Sequence, residues 1–267
     1  MDRGYEPEAA GQRTGLSPDW TFLGVSALLF TTSAGGLIYW TNSMSGGDTS
    51  ATAWMRMPGQ TWLSAAGTFM GMWMVMMLAM MLPSLTPSLL SYRRLARRQE
   101  GFSLGGLTAL AGAGYFIVWA IFGIIAYPLG VIFVAAEMQW MVLANLALPL
   151  TGLVLILVGI LQFTGWKARM LGDYREMPAL NQSLSPHARN AWKYGLRLGV
   201  HCALCCIGFM AVLLVTGVMD LGAMALIAAA ITIERLAPKP ELIARLLGVA
   251  IIVVGALMII TGVRSII

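Results

Sequence analysis

Charged side chains are scarce in this chain. They make up 11% of the 267 residues, whereas a soluble domain has roughly 25%. Hydrophobic residues make up 58%, and the mean hydropathy is +0.76. This composition excludes an ordinary soluble globular domain and predicts an all-α, polytopic transmembrane helix bundle, because a helix satisfies its own backbone hydrogen bonds in lipid.

Signatures of common enzymes are also missing. The chain has no phosphate-cradling glycine loop, no H-E-x-x-H pattern, no Ser/His/Asp arrangement and no internal repeat. The only sizeable polar segment, 163–198, is too small for a catalytic domain. Residues 1–19 are polar, mix both charge signs and lack an A-x-A-like site, so no signal peptide is expected. The sequence therefore predicts a membrane protein that is not an enzyme.

Apolar runs of about 16–25 residues, near the length that a helix needs to cross hydrocarbon, predict seven spans. These are approximately 20–40, 61–82, 104–127, 139–162, 199–218, 221–236 and 246–263. The predicted organisation is a cytoplasmic N-terminal segment, 1–19, and a single transmembrane helical domain, 20–267. That domain carries a cytoplasmic loop at about 163–198.

Basic residues are distributed asymmetrically about these spans. In a seven-span arrangement 15 of the 17 lie on one side, and only Arg56 and Arg264 lie on the other. The positive-inside rule then places the N-terminus in the cytoplasm and the C-terminus outside. The arginine clusters are short, juxtamembrane and without interleaved aromatics. We therefore expect the lipid bilayer as a partner, and we do not expect the protein to bind nucleic acid.

Soft metal ligands are concentrated at one place. All three cysteines and one of the two histidines fall within six residues: His201, Cys202, Cys205 and Cys206. In a helix, His201 and Cys205 are one turn apart, as are Cys202 and Cys206. Thiolate and imidazole suit Cu(I), with Zn as the alternative. The competing interpretation is that these cysteines pack as small hydrophobes; a disulfide is not expected near a reducing compartment.

Methionine is also concentrated in one part of the chain. Seven of the 19 methionines lie in the second predicted span, and Met70, Met74, Met77 and Met81 form one helical stripe. The predicted orientation puts Met77, Met80 and Met81 at the depth of the cysteines and Met44, Met55 and Met57 outside. These thioethers predict a soft, uncharged path for Cu(I), with ordinary core packing as the alternative.

A tight turn at Met219–Asp220 predicts that the fifth and sixth spans form an antiparallel hairpin. Residues whose numbers sum to about 439 then lie opposite each other, so Cys205 faces Glu234. Glu234 is a candidate metal carboxylate or acceptor for the His201 ring. Alternatively, it is an interfacial charge beside Arg235.

Several segments resemble a family of largely uncharacterised bacterial integral-membrane proteins that are described as predicted metal-binding, some as copper chaperones. The resemblance lies in Met76–Ser84, in Gln162–Lys167, in the glycine-arginine-glycine run of Gly195–Cys206, in Gly217–Leu221 and in Glu234–Pro238. Family members often carry a cysteine pair just after the lysine that matches Lys167. Here residues such as Met170, Asp173 and Tyr174 stand at those positions.

Two classes of function follow. The resemblance and the ligands predict a copper-handling protein of the bacterial cytoplasmic (inner) membrane, which binds, transports or delivers Cu(I) to a cuproenzyme or metallochaperone. The candidate metal ligands are His201, Cys202, Cys205, Cys206, Met77, Met80, Met81 and Glu234. The alternatives are a membrane redox or haem-binding subunit that uses His201 and a methionine, and a structural partner subunit without metal.

Overall fold

The structure, a computed structural model, describes residues 19–43, 54, 56, 59–96, 104–180, 187–218 and 220–266. Across these residues it contains eight α-helices and no strand. In chain order they are α1 (Trp20–Ser43), α2 (Trp62–Ala96), α3 (Leu104–Gln139), α4 (Met141–Leu161), α5 (Gly165–Leu180), α6 (Ala188–Thr216), α7 (Leu221–Leu236) and α8 (Pro240–Ile266). The all-helical prediction is confirmed.

In the described part of the chain, five helices are long and apolar enough to cross a membrane: α1, α2, α3, α6 and α8. A sixth span is possible if α4 and α5, which meet at a 68° bend, act as one. Helix α7 has 16 residues and is about 24 Å long, short of the roughly 30 Å hydrocarbon core. The structure thus supports several spans, while the number seven and the cytoplasmic N-terminus stay predictions.

Helix α2 continues past the point where the sequence predicted its end. Pro83 and Pro87 lie inside the helix, which runs on to Ala96. Nearby hydroxyl groups donate hydrogen bonds to backbone carbonyls in these turns. Ser84 Oγ donates to Met81 O at 3.0 Å, and Thr86 Oγ1 donates to Leu82 O at 2.8 Å. Such side-chain bonds are a common way to accommodate proline in an apolar helix.

Helices α2 and α6 form the centre of the bundle. In the most apolar 18-residue stretch of each of these two helices, 56% is buried. The corresponding buried share is 11% in α1, 22% in α3 and 17% in α8. The outer helices expose large apolar side chains, among them Leu28, Ile124 and Val253. Such surfaces suit contact with lipid.

Glycines bring α6 very close to α3. A Cβ at Gly195 would overlap the carbonyl of Ala111, and one at Gly199 would lie 2.9 Å from Tyr115 O. Helix α4 meets α8 in the same way, since a Cβ at Gly152 would lie 2.6 Å from Gly255 O. Small residues at helix crossings are typical of membrane bundles. The α3–α6 crossing sets Tyr115 beside the cysteines.

The segment predicted as a loop, 163–198, is largely helical. It holds α5 and the first turns of α6. Leu171 and Tyr174 of α5 are buried in the core, and so is Lys167. This segment therefore contributes directly to the interior.

Candidate metal site

Two of the three cysteines share one face of α6. Cys202 and Cys206 are one helical turn apart, and both thiols are buried. Arg235 of α7 reaches both: its Nη2 donates to Cys202 Sγ at 3.0 Å and to Cys206 Sγ at 3.1 Å. The pair of thiols is thus bridged by one guanidinium.

Helices α2 and α3 complete the surroundings of Cys202. The Sδ atom of Met81 lies 4.0 Å from Cys202 Sγ, and the hydroxyl of Tyr115 lies 2.9 Å from the same sulfur. Met81 and Tyr115 are both fully buried. We call the group Cys202, Cys206, Met81, Tyr115 and Arg235 the thiol site.

Arg235 is held in place by α2 and α5. Its Nη1 donates to Ser84 Oγ at 3.1 Å, and its Nη2 also approaches Cys202 O at 3.5 Å. The ring of Tyr174 covers the guanidinium, with the Cζ atom 4.0 Å from the ring centroid. The hydroxyl of Tyr174 donates to Ser84 O at 3.3 Å. Stacking and a fixed fork of donors orient an arginine in a way that a lysine cannot match.

A second buried cation lies beside the thiol site. Lys167 Nζ is 3.0 Å from Glu234 Oε1 and donates to Cys205 O at 2.6 Å. Glu234 Oε1 has no hydrogen-bond partner within the described part of the chain, so Coulomb attraction rather than a well-aligned bond holds it. Lys167 also lies over the ring of Phe209, 5.1 Å from its centroid. Lys167 and Glu234 neutralise each other.

The predicted hairpin pairing is confirmed. Arg235 contacts both Cys202 and Cys206, so residues that sum to about 439 do lie side by side. The residue that reaches the thiols is Arg235, whereas Glu234 faces Lys167.

The other predicted ligands have different contacts. His201 is only partly buried, and its Nδ1–H donates to Arg197 O at 2.9 Å, one turn back on α6. Cys205 is buried, and its backbone carbonyl accepts a hydrogen bond from Lys167. Met77 and Met80 are buried in α2. Met44, Met55 and Met57 lie outside the described residues.

Among the described residues, no three His, Cys, Asp or Glu side chains are grouped so that they could hold a metal ion. The cysteine and histidine residues therefore do not assemble into one four-donor cluster. What the structure does bring together is two thiols and one thioether, from α6 and α2.

Sequence reasoning missed the two buried cations. The positive-inside distribution places Arg235 and Lys167 with the cytoplasmic charges, yet each is buried in the bundle. The available signal was their position at the edge of apolar runs, since an ionisable residue inside a membrane bundle is a candidate functional residue. Tyr115, Ser84 and Tyr174 carried no comparable signal, because only tertiary packing brings them to the cysteines.

A family model described as copper chaperone (PpoB2) matches residues 70–258. The chain belongs to this copper chaperone family. The matched range covers well over half of the chain and includes every residue of the thiol site. No curated protein and no solved structure matches the chain significantly.

The side chains of the thiol site are chemically suited to a copper ion. Two cysteine sulfurs and a thioether form a soft donor set of the kind that Cu(I) prefers. Two sulfurs bound to one metal at about 2.3 Å, the zinc–thiolate length, lie at most about 4.6 Å apart. The 4.0 Å between Met81 Sδ and Cys202 Sγ is within that reach.

Proposed function

We propose that this protein handles Cu(I) within the membrane and holds it at Cys202, Cys206 and Met81. The observation that carries the proposal is the convergence of these three sulfurs, from two central helices, in one buried site. Membership of the copper chaperone family supports it. The ion is a passenger rather than a resident cofactor, and the protein is not an enzyme.

In this proposal the eight predicted ligands divide by role. Cys202, Cys206 and Met81 bind the ion, while Met77 and Met80 lead to it along α2. Glu234 neutralises Lys167, and His201 and Cys205 stay outside the ligand set. The copper passes to a cuproenzyme or a metallochaperone, and the protein resides in the bacterial inner membrane.

Copper content of the purified protein tests this proposal. We expect protein prepared under reducing conditions to hold up to one Cu(I) per chain, and a Cys202→Ser/Cys206→Ser variant to hold none. Cys205→Ser is the matched control, because it removes a buried thiol from the same helix but outside the ligand set. Full copper content in the double variant, or equal loss in the control, would refute the proposed site.

A further inference from the structure

Within the part of the chain that the structure describes, Arg235 is a buried cation without a carboxylate among its contacts. It has 6% of its surface exposed, and its donors point to Ser84 Oγ, to Cys202 O and to the two cysteine sulfurs. The adjacent carboxylate, Glu234, faces Lys167. Of the described groups that accept hydrogen bonds from Arg235, only the two sulfurs can carry a negative charge, as cysteine thiolates.

The charge of the bound ion then decides whether the site is neutral. Metal ligation requires cysteine as thiolate, so two bound cysteines contribute two negative charges. One guanidinium and one monovalent cation cancel them. A divalent cation would leave one positive charge uncompensated in the interior, which is strongly unfavourable.

Coordination geometry favours the same ion. Structural zinc sites are almost always tetrahedral with four protein ligands. The thiol site offers three sulfurs, and the guanidinium lies 3.0 Å and 3.1 Å from two of them.

We infer that Arg235 determines the metal specificity of the thiol site and makes it select a soft monovalent ion, Cu(I), over Zn(II). This inference rests on the proposed function. On binding, bonds form from the metal to Cys202 Sγ, Cys206 Sγ and Met81 Sδ, the ligands with which the ion arrived are released, any proton still on either cysteine sulfur leaves to water, and no electron is transferred. Arg235 does not bind the ion; it acts through the charge and hydrogen bonds that it gives to both ligands.

Two variants of Arg235 test the inference in the full-length protein, purified in detergent without oxygen. Affinities for Cu(I) and for Zn(II) are measured separately by competition with chelators. Arg235→Gln should shift the ratio of the two affinities toward Zn(II) by on the order of 100-fold, since the zinc bis-thiolate is then the neutral complex. Arg235→Lys keeps the charge and should retain the preference for Cu(I), although its binding is weaker. A purely structural role would weaken binding of both metals to the same extent.

Arg93→Gln is the matched control. Arg93 is a partly buried cation of the bundle that pairs with Asp19 at 3.2 Å and lies outside the thiol site. The ratio of Cu(I) to Zn(II) affinity should therefore not change in this variant. The inference is overturned if Arg235→Gln keeps the wild-type ratio, or if the Lys and Gln variants lose the preference equally.

The unmodified protein provides a second test, which holds even if Arg235→Gln does not accumulate. Excess Zn(II) should fail to displace bound Cu(I) from it, and displacement would overturn the inference. The two claims fail separately. If the Cys202→Ser/Cys206→Ser variant retains copper, the proposed function is refuted. If that variant loses copper but Arg235→Gln leaves the ratio of Cu(I) to Zn(II) affinity unchanged, only the role of Arg235 is refuted.

Discussion

At the scale of single residues, Lys167 and Glu234 form an ion pair within the bundle, both almost fully buried. Lys167 belongs to α5, Glu234 to α7, and the carbonyl that accepts from Lys167 belongs to α6. The pair therefore fastens α5 to the two helices that carry the thiols and the guanidinium. The helix held in this way also supplies Tyr174, which covers Arg235.

Breaking this pair should be more damaging than deleting it. We predict that Glu234→Gln lowers the free energy of unfolding by about 3–5 kcal/mol, because it leaves the Lys167 ammonium buried and unpaired. Chemical denaturation in detergent measures the loss.

The double variant Lys167→Met/Glu234→Gln is the control. It removes both charges at similar volume, so it should recover most of the stability that the single variant loses. If the single and double variants are equally unstable, the pair is not what fastens α5.

At the scale of the element, burial divides the methionines of α2 into two groups. Met72, Met76 and Met80, spaced by four, are buried together with Met77 and Met81, while Met70 and Met74 are only partly buried. The predicted stripe Met70–Met74–Met77–Met81 thus has a buried half next to the thiol site and a partly buried half beyond it. A thioether path to the thiols would use the buried half.

Replacing sulfur without changing volume tests this path. We predict that Met77→Leu/Met80→Leu reduces copper loading while the protein still accumulates in the membrane, since each Met→Leu change should cost less than about 1.5 kcal/mol of stability. Metal analysis of membranes from copper-grown cells measures the loading. Met70→Leu/Met74→Leu is the control and should load copper normally. Equal copper loading by both variants would show that Met77 and Met80 serve only to pack the core.

At the scale of the whole molecule, orientation follows from charge. Since 15 of the 17 basic residues lie on one side of the seven-span arrangement, we predict that a reporter inserted at about 181–186 is cytoplasmic and one fused after residue 267 is external. Reporter fusions with activity on one side of the membrane measure this. Both reporters on the same side would require an even number of spans between residues 181–186 and the C-terminus, whereas the seven-span arrangement has three.

Much of this architecture could be predicted from composition and periodicity. An apolar chain with few charges must form helices in lipid, and the helix period brings Cys202 and Cys206 to one face whatever the rest of the bundle does. The turn before α7 likewise set the pairing of α6 with α7, because two helices joined by a short turn pack antiparallel. Local periodicity and chain connectivity are enough for both results.

Long-range packing decided the rest. Whether α2 stops at Pro83 depends on the hydrogen bonds and neighbours around it, and whether 163–198 is a solvated loop depends on what Lys167 and Tyr174 contact. The sequence placed Arg235 among the loop charges and grouped His201 with the cysteines. The tertiary structure buries Arg235 against both thiols, because side-chain environment is determined by residues far apart in the chain, whereas His201 bonds to Arg197 within its own helix. Sequence alone thus determined that the chain is helical and which thiols share a face, and only the packing of α2, α3, α5 and α7 around α6 decided which charge those thiols meet.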